Sequence, residues 1–142
     1  MKKSSTILIS SIALVILWTY AATSKLADFR NFKTQMRKQV FSDEIADILV
    51  YLVPITEIVV ALLLCLSLTR FYGFVFSAIL LLSFSIYIAL ILAGLSGKVP
   101  CSCGGVLSQL GWGEHLAFNL CFLALALSGI FLSQKKGGLM TK

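Results

Sequence analysis

Two cysteines separated by one serine, Cys101 and Cys103, stand between two long apolar stretches of the sequence. Neighbouring thiols can exchange two electrons with a partner dithiol or disulfide, because one thiolate attacks a partner sulfur and the second cysteine resolves the mixed disulfide. Gly104 and Gly105 follow the pair and permit backbone conformations that let another chain approach closely. The pattern predicts a redox centre, and a structural disulfide that pins a surface loop is the alternative.

The single histidine of the chain follows this pair. Trp112, His115 and Asn119 are spaced i, i+3 and i+7, which places them on one face at the start of a helix. We expect His115 to deprotonate a cysteine or pass on a proton, with Asn119 orienting its ring and Trp112 stacking on a flat cofactor. One alternative is an interfacial tryptophan and histidine without chemistry. Another is a soft-metal site made of Cys101, Cys103 and His115.

A carboxylate is the remaining candidate, because Glu57 lies within an apolar stretch and follows Pro54 by three residues. A charge at membrane depth is costly, so such a residue normally faces the interior of a helix bundle, finds a partner and marks a functional site. An interhelical hydrogen bond that only fixes the packing explains Glu57 equally well. Pro54 removes one backbone hydrogen bond, so we expect a kink there.

The composition places these candidates in a membrane protein. Of 142 residues, 58% are hydrophobic and 13% are charged, against about a quarter charged in soluble domains. Segments 7–22, 45–68, 71–95 and 112–132 are apolar enough to cross a bilayer as helices. We therefore predict one all-α membrane domain over 1–142, a four-helix bundle with a redox loop at 96–111. The net charge of +6 is scattered, which argues against nucleic-acid binding.

The connection between the first two segments has its own pattern. In 25–44, apolar residues recur at helical spacing among cations, which predicts a short amphipathic helix on the membrane surface, with a solvated basic loop as the alternative. Trp18 and Tyr20 border the first segment and are expected to anchor it at the interface, as a retained helix rather than a cleaved signal peptide. Cys65 and Cys121 lie in apolar segments and are predicted to be small buried residues.

The charges do not by themselves orient the bundle. Six cations flank each side of the four predicted crossings, so the positive-inside rule gives a tie. The Lys2-Lys3 start of the first segment favours cytoplasmic termini. We therefore expect a multi-pass protein of the bacterial inner membrane whose Cys-Ser-Cys loop faces the periplasm, an oxidising compartment.

Several short motifs together resemble the DoxX/MauE superfamily of small bacterial membrane proteins, and within it the MauE-like branch. They are S-K-L-A-D-F from Ser24, P-I-T-E from Pro54, C-S-C-G-G from Cys101 and W-x-x-H-x-x-x-N from Trp112, and they cover nearly the whole chain. The resemblance implies a four-helix bundle associated with thiol–disulfide chemistry of exported proteins. MauE is linked to maturation of a disulfide-rich periplasmic subunit of methylamine dehydrogenase, and DoxX-type relatives are linked to quinone-coupled oxidation of sulfur compounds.

The resemblance also assigns residues. Cys101 and Cys103 become the redox pair. The surrounding site is then formed by Lys25, Glu57, Trp112, His115 and Asn119. No cofactor follows from the residues themselves, and the resemblance points to a quinone as the candidate.

The leading hypothesis is an inner-membrane thiol–disulfide redox protein that exchanges electrons between Cys101/Cys103 and an exported partner protein, coupled to quinone. Glu57, Trp112 and Asn119 would contact the quinone. A metal-handling membrane protein that uses Cys101, Cys103 and His115 is one alternative, and a non-catalytic subunit of a larger envelope complex is another. Whether the protein is an enzyme stays open at this point.

Overall fold

The computed structural model describes residues 2–39, 42–95 and 111–137, and these residues form helices and short connections. The helices are α1 (Lys2–Ala27), α2 (Phe29–Arg37), α3 (Asp43–Cys65), α4 (Arg70–Leu92) and α5 (Trp112–Gly137). All but α2 are long and apolar enough to cross a membrane. The predicted all-α bundle of four spanning helices with a short amphipathic segment after the first is confirmed.

The four long helices close into a ring. Helix α1 packs against α3 and α5, and α4 packs against the same two helices, so α3 and α5 occupy opposite corners. Successive long helices run in opposite directions. One end of the bundle therefore carries the last turn of α1, the last turn of α4 and the first turn of α5. We call this the loop end and the opposite end the terminal end.

Helix α2 packs against α3 and depends on side-chain contacts for its stability, because nine residues are too few to form a stable isolated helix. Asp28 caps it by accepting a hydrogen bond from the backbone N–H of Asn31 at 3.3 Å. Arg37 donates two hydrogen bonds to the carboxylate of Asp47, at 3.0 and 2.7 Å. These bonds hold the pKa of the Arg37 guanidinium above its ordinary value. Phe32 is buried beneath the helix.

Trp18 lies in the core and not at the membrane interface. Its side chain is 2% exposed, and its Nε1 donates to Ser77 Oγ at 2.9 Å, joining α1 to α4 across the bundle. The predicted role of Trp18 as an interfacial anchor is therefore wrong, because the indole N–H finds its partner inside the protein and the ring fills the core.

The burial predicted for Cys65 and Cys121 is also wrong, since both lie exposed on the outer faces of their helices. In a soluble protein an apolar stretch is usually buried against the protein itself. In a bilayer the outer face of each helix is equally apolar, because it contacts lipid. A cysteine within such a stretch can therefore lie on either face.

Close contacts between glycines and large side chains set the packing near the terminal end. A Cβ added at Gly129 of α5 would lie 2.5 Å from the ring of Phe74, and one added at Gly73 of α4 would lie 2.8 Å from Leu64 Cγ. Small residues at such positions let membrane helices approach closely. The carbonyl of Leu64 at the end of α3 accepts hydrogen bonds from Ser11 Oγ at 2.9 Å and Arg70 Nε at 3.1 Å.

The contact between Gly129 and Phe74 predicts a size limit. Gly129→Ala should lower the free energy of unfolding by about 1–3 kcal/mol, because the added methyl overlaps the ring of Phe74, which is fully buried. Thermal unfolding of the purified protein in detergent measures this. Gly113→Ala is the matched control on the same helix, since nothing lies within 4 Å of its Cβ position. Equal stability of the two variants would contradict the packing described.

Candidate functional site

Lys25 enters the bundle because α1 is longer than the predicted segment 7–22 and continues to Ala27. Its side chain is 6% exposed. Lys25 Nζ donates to the carbonyl of Ala21 at 3.2 Å, so the side chain runs back along α1 toward the middle of the bundle. The ring of Phe32 lies 6.0 Å from Nζ, at the outer range of a cation–π contact.

Glu57 is the partner of the Lys25 ammonium group. It lies near the middle of α3 with its side chain 1% exposed, and Oε1 accepts a hydrogen bond from Lys25 Nζ at 2.8 Å. The two opposite charges form a buried ion pair between α1 and α3. The interhelical bond weighed for Glu57 is thus present, but it uses only one of the two carboxylate oxygens.

Two buried polar atoms in the described part of the chain have no hydrogen-bond partner. They are Glu57 Oε2, an acceptor, and Asn119 Nδ2, a donor. A buried polar atom left unpaired costs about 1–3 kcal/mol, and more when the group is charged. Both residues were singled out from the sequence as cofactor contacts, and both orphan atoms are of the kind that a bound polar molecule would satisfy.

The depth of Asn119 follows from the packing of α4 on α5. Phe74 and Gly129 lie at one level of these antiparallel helices. Ten residues further toward the loop end on each helix, Asn119 lies level with Phe84, the residue before Ser85. The Ser85 hydroxyl is buried and donates to the Leu81 carbonyl at 2.7 Å.

The depth of Glu57 follows in the same way from the contact between Leu64 of α3 and Gly73 of α4. Seven residues further toward the loop end on each helix, Glu57 lies level with residue 80 of α4. Asn119 is therefore about one helical turn, roughly 6 Å, nearer to the loop end. Because α3 and α5 occupy opposite corners of the ring and both side chains are buried, the two residues face the interior from opposite sides.

The other polar groups of this half lie nearer to the loop end. His115 is half-buried one turn before Asn119 on α5, and its backbone N–H donates to the Gly111 carbonyl at 2.9 Å. Tyr87 donates a hydrogen bond from its hydroxyl to Gln39 Oε1, which ties the chain after α2 to α4. Gln39 is buried despite its position outside a helix.

The predicted redox pair, Cys101 and Cys103, lies outside the described residues, as does the side chain of Trp112. Within 2–39, 42–95 and 111–137, no group of three histidine, cysteine, aspartate or glutamate side chains gathers in a way that could hold a metal ion. The metal alternative depends on the two loop cysteines and stays a hypothesis.

Sequence reasoning did not find Gln39 and Tyr87, or the pairing of Lys25 with Glu57. No spacing rule connects Gln39 to Tyr87, which are 48 residues apart on different elements. A signal for the ion pair did exist, because Glu57 is the one carboxylate in the apolar part of its segment and Lys25 is the first cation after the first apolar segment.

Comparison with known proteins gives one match. The model of a protein family described as methylamine utilisation protein MauE matches residues 3–132. No curated protein and no solved structure matches the chain.

The ion pair predicts unequal effects of single and double substitutions. Glu57→Gln leaves the Lys25 ammonium buried without a counter-charge and should lower the free energy of unfolding by about 3–5 kcal/mol. The double variant Lys25→Met/Glu57→Leu should be much closer to the unsubstituted protein, because no charge remains buried. Denaturation in detergent compares them, with Glu44→Gln as the control at an exposed position on α3. A double variant as unstable as the single one would show that the missing counter-charge is not the cause.

The unpartnered amide of Asn119 predicts an effect of the opposite sign. Asn119→Leu removes a buried donor that lacks a partner and should raise the free energy of unfolding by about 1 kcal/mol. Ser77→Ala removes a partnered group, the acceptor of Trp18 Nε1, and should lower it. Thermal unfolding of both variants tests the contrast, and loss of stability in Asn119→Leu would mean that its amide is part of the packing.

Proposed function

Because the chain belongs to the MauE family, we propose that this membrane protein is a thiol–disulfide redox protein of the bacterial inner membrane. It exchanges electrons between Cys101/Cys103 and an exported partner protein, in the process of methylamine utilisation for which the family is named. The observation that carries the proposal is the position of the polar groups. Lys25, Asn119 and half-buried His115 lie toward the loop end, where α4 leads into the Cys101–Cys103 segment.

The exchange with the partner is a balanced two-electron reaction. A thiolate of the partner's dithiol attacks one sulfur of the Cys101–Cys103 disulfide, and the second partner thiolate resolves the mixed disulfide. The partner is oxidised to a disulfide, the loop is reduced to a dithiol, and the two thiol protons of the partner end on the loop. His115, one turn from Asn119 on α5, is the described residue suited to move those protons.

Coupling to quinone is the second part of the proposal. A quinone takes two electrons and two protons when it oxidises a dithiol, and its oxygens need hydrogen-bond partners inside an apolar bundle. Asn119 Nδ2 is a buried donor without a partner in the described part of the chain and can donate to an oxygen of the head group. Glu57 Oε2, likewise unpartnered there, can accept from a hydroxyl of the reduced form. This chemistry agrees with the relation to DoxX-type proteins that the motifs suggest, which is likewise proposed here.

The orientation of the protein in the membrane is supported by the ion pair. Lys25 is neutralised by Glu57 inside the bundle, so five of the six cations near the loop end remain to interact with lipid head groups or water. The terminal end keeps six. On that count we propose cytoplasmic termini, with the cysteine segment in the periplasm.

A trapped intermediate tests the proposal. In the reverse of this exchange the Cys101 thiolate attacks the disulfide of the oxidised partner and Cys103 resolves the mixed disulfide. Cys103→Ser should therefore leave Cys101 bound to the oxidised partner in a mixed disulfide, and mass spectrometry of the cross-linked species identifies both sulfurs. Cys65→Ser and Cys121→Ser are the matched controls, since these cysteines lie on the outer faces of α3 and α5.

Two results would overturn it. One is a Cys101–Cys103 pair that never interconverts between dithiol and disulfide across a range of glutathione buffers. The other is a double serine variant of the pair with full partner binding and full phenotype, which would favour a non-catalytic subunit. Stoichiometric metal in purified protein, lost in Cys103→Ser, would favour the metal-handling alternative.

A further inference from the structure

We infer that the bundle interior binds the reduced, hydroxyl-bearing form of a quinone in preference to the oxidised form, with Glu57 Oε2 accepting a hydrogen bond from the ligand hydroxyl. This inference rests on the quinone coupling proposed above and adds which redox form the site favours. The oxidation state of the ligand affects its binding, because the quinone and its hydroquinone differ in their hydrogen-bonding groups.

The carboxylate of Glu57 is an acceptor that is fixed in place. Lys25 Nζ donates to Oε1 at 2.8 Å in a buried ion pair, and both oxygens of a carboxylate in such a pair are acceptors. Oε2 is buried and has no donor among the described side chains. The missing partner must therefore be a donor. A quinone offers two carbonyl oxygens, which are acceptors and repel Oε2, whereas a hydroquinone offers two hydroxyl donors.

The preference for the hydroquinone should be strong, because a bound quinone would leave the charged Glu57 Oε2 atom buried and unpaired. A site built to hydrogen-bond one group rejects the analogue that lacks it, since burial of the unpaired group is costly. Asn119 acts differently. Its Nδ2 donor can bond to the oxygen of either form, so it contributes affinity without choosing between them.

The structure also offers a place for the apolar tail of such a ligand. A groove of about 180 Å³ runs between α1 and α3 and is lined almost wholly by apolar atoms. Its walls include Ala22 and Leu26, three residues before and one residue after Lys25, and Ile58 and Ala61, one and four residues after Glu57. Leu26 and Ile58 are exposed on the outer surface, so the groove opens where lipid contacts the bundle. We place only the prenyl tail in this groove, since neither Lys25 nor Glu57 is among its walls.

Preferential binding of the reduced form gives the reaction a direction. When one form binds more tightly by some factor, the equilibrium of the bound couple shifts toward that form by the same factor. Two electrons and two protons then pass from the Cys101/Cys103 dithiol to the quinone, which yields a disulfide and a hydroquinone. Electrons flow from the exported partner toward the membrane.

Binding of a matched pair of ligands tests the inference. Decylubiquinone and its chemically reduced hydroquinone are titrated into the full-length protein in lipid nanodiscs, with calorimetry as the readout. The unsubstituted protein should bind the hydroquinone at least about tenfold more tightly, as expected for one charge-assisted hydrogen bond. Glu57→Gln should lose this preference, because its amide can donate to a quinone carbonyl. Asn119→Leu should weaken the binding of quinone and hydroquinone equally, and Glu44→Gln should leave both affinities unchanged.

A second variant protects the test against misfolding. If Glu57→Gln does not fold, Lys25→Met/Glu57→Gln removes the buried charge together with the carboxylate and should show the same loss of preference. Equal affinity for both forms in the unsubstituted protein would overturn the inference and leave the quinone coupling standing, and so would a preference that survives in both Glu57 variants. Binding of neither form would overturn the coupling as well, whereas the thiol-trapping experiment on Cys101 and Cys103 is independent of all these outcomes.

Discussion

The buried ion pair between Lys25 and Glu57 is the constraint on which the arrangement of the first three helices depends. A lysine ammonium is tolerated in a bundle interior only where an opposite charge meets it, so α1 must stay helical past Lys25 and α3 must turn Glu57 toward it. The chain then leaves α1 at Asp28, which caps α2, and α2 brings Phe32 under the ammonium group. The buried ion pair thus constrains where α1 ends, how α3 is rotated and where α2 lies.

The two halves of the bundle differ in what holds them together. Near the terminal end close apolar contacts of Phe74 with Gly129 and of Leu64 with Gly73 stand beside hydrogen bonds to the Leu64 carbonyl, and no buried charge lies among the described residues there. Toward the loop end the interior becomes polar, with the ion pair and Asn119. A closely packed half keeps the helices in register, and this register sets where the polar side chains of the other half stand.

The sequence predicts the helices well and their rotations poorly. Long apolar runs determine the four spanning helices, and the helical spacing of apolar residues after Lys25 determines α2, because both signals are local. Whether a residue faces the core or lipid is not local. Trp18 and Cys121 show this, since an apolar stretch has no polar face to mark its outside. Glu57 was nevertheless chosen as a candidate because a carboxylate is rare at such depth, and Asn119 because it shares a helix face with His115.

The half-satisfied state of Glu57 argues for a role beyond packing. If the carboxylate served only to join α1 to α3, a donor on both oxygens would stabilise it most, and a fully apolar contact would serve as well. The fold instead uses Lys25 to hold one oxygen and leaves Oε2 buried and unpaired, at the same general depth as an unpaired donor on Asn119 across the bundle. An unpaired acceptor and an unpaired donor that face one interior are the two atoms on which the proposed ligand site rests. Lys25 then has two roles, because its bond to Glu57 Oε1 neutralises the lysine charge and also fixes the orientation in which Oε2 can accept a hydrogen bond.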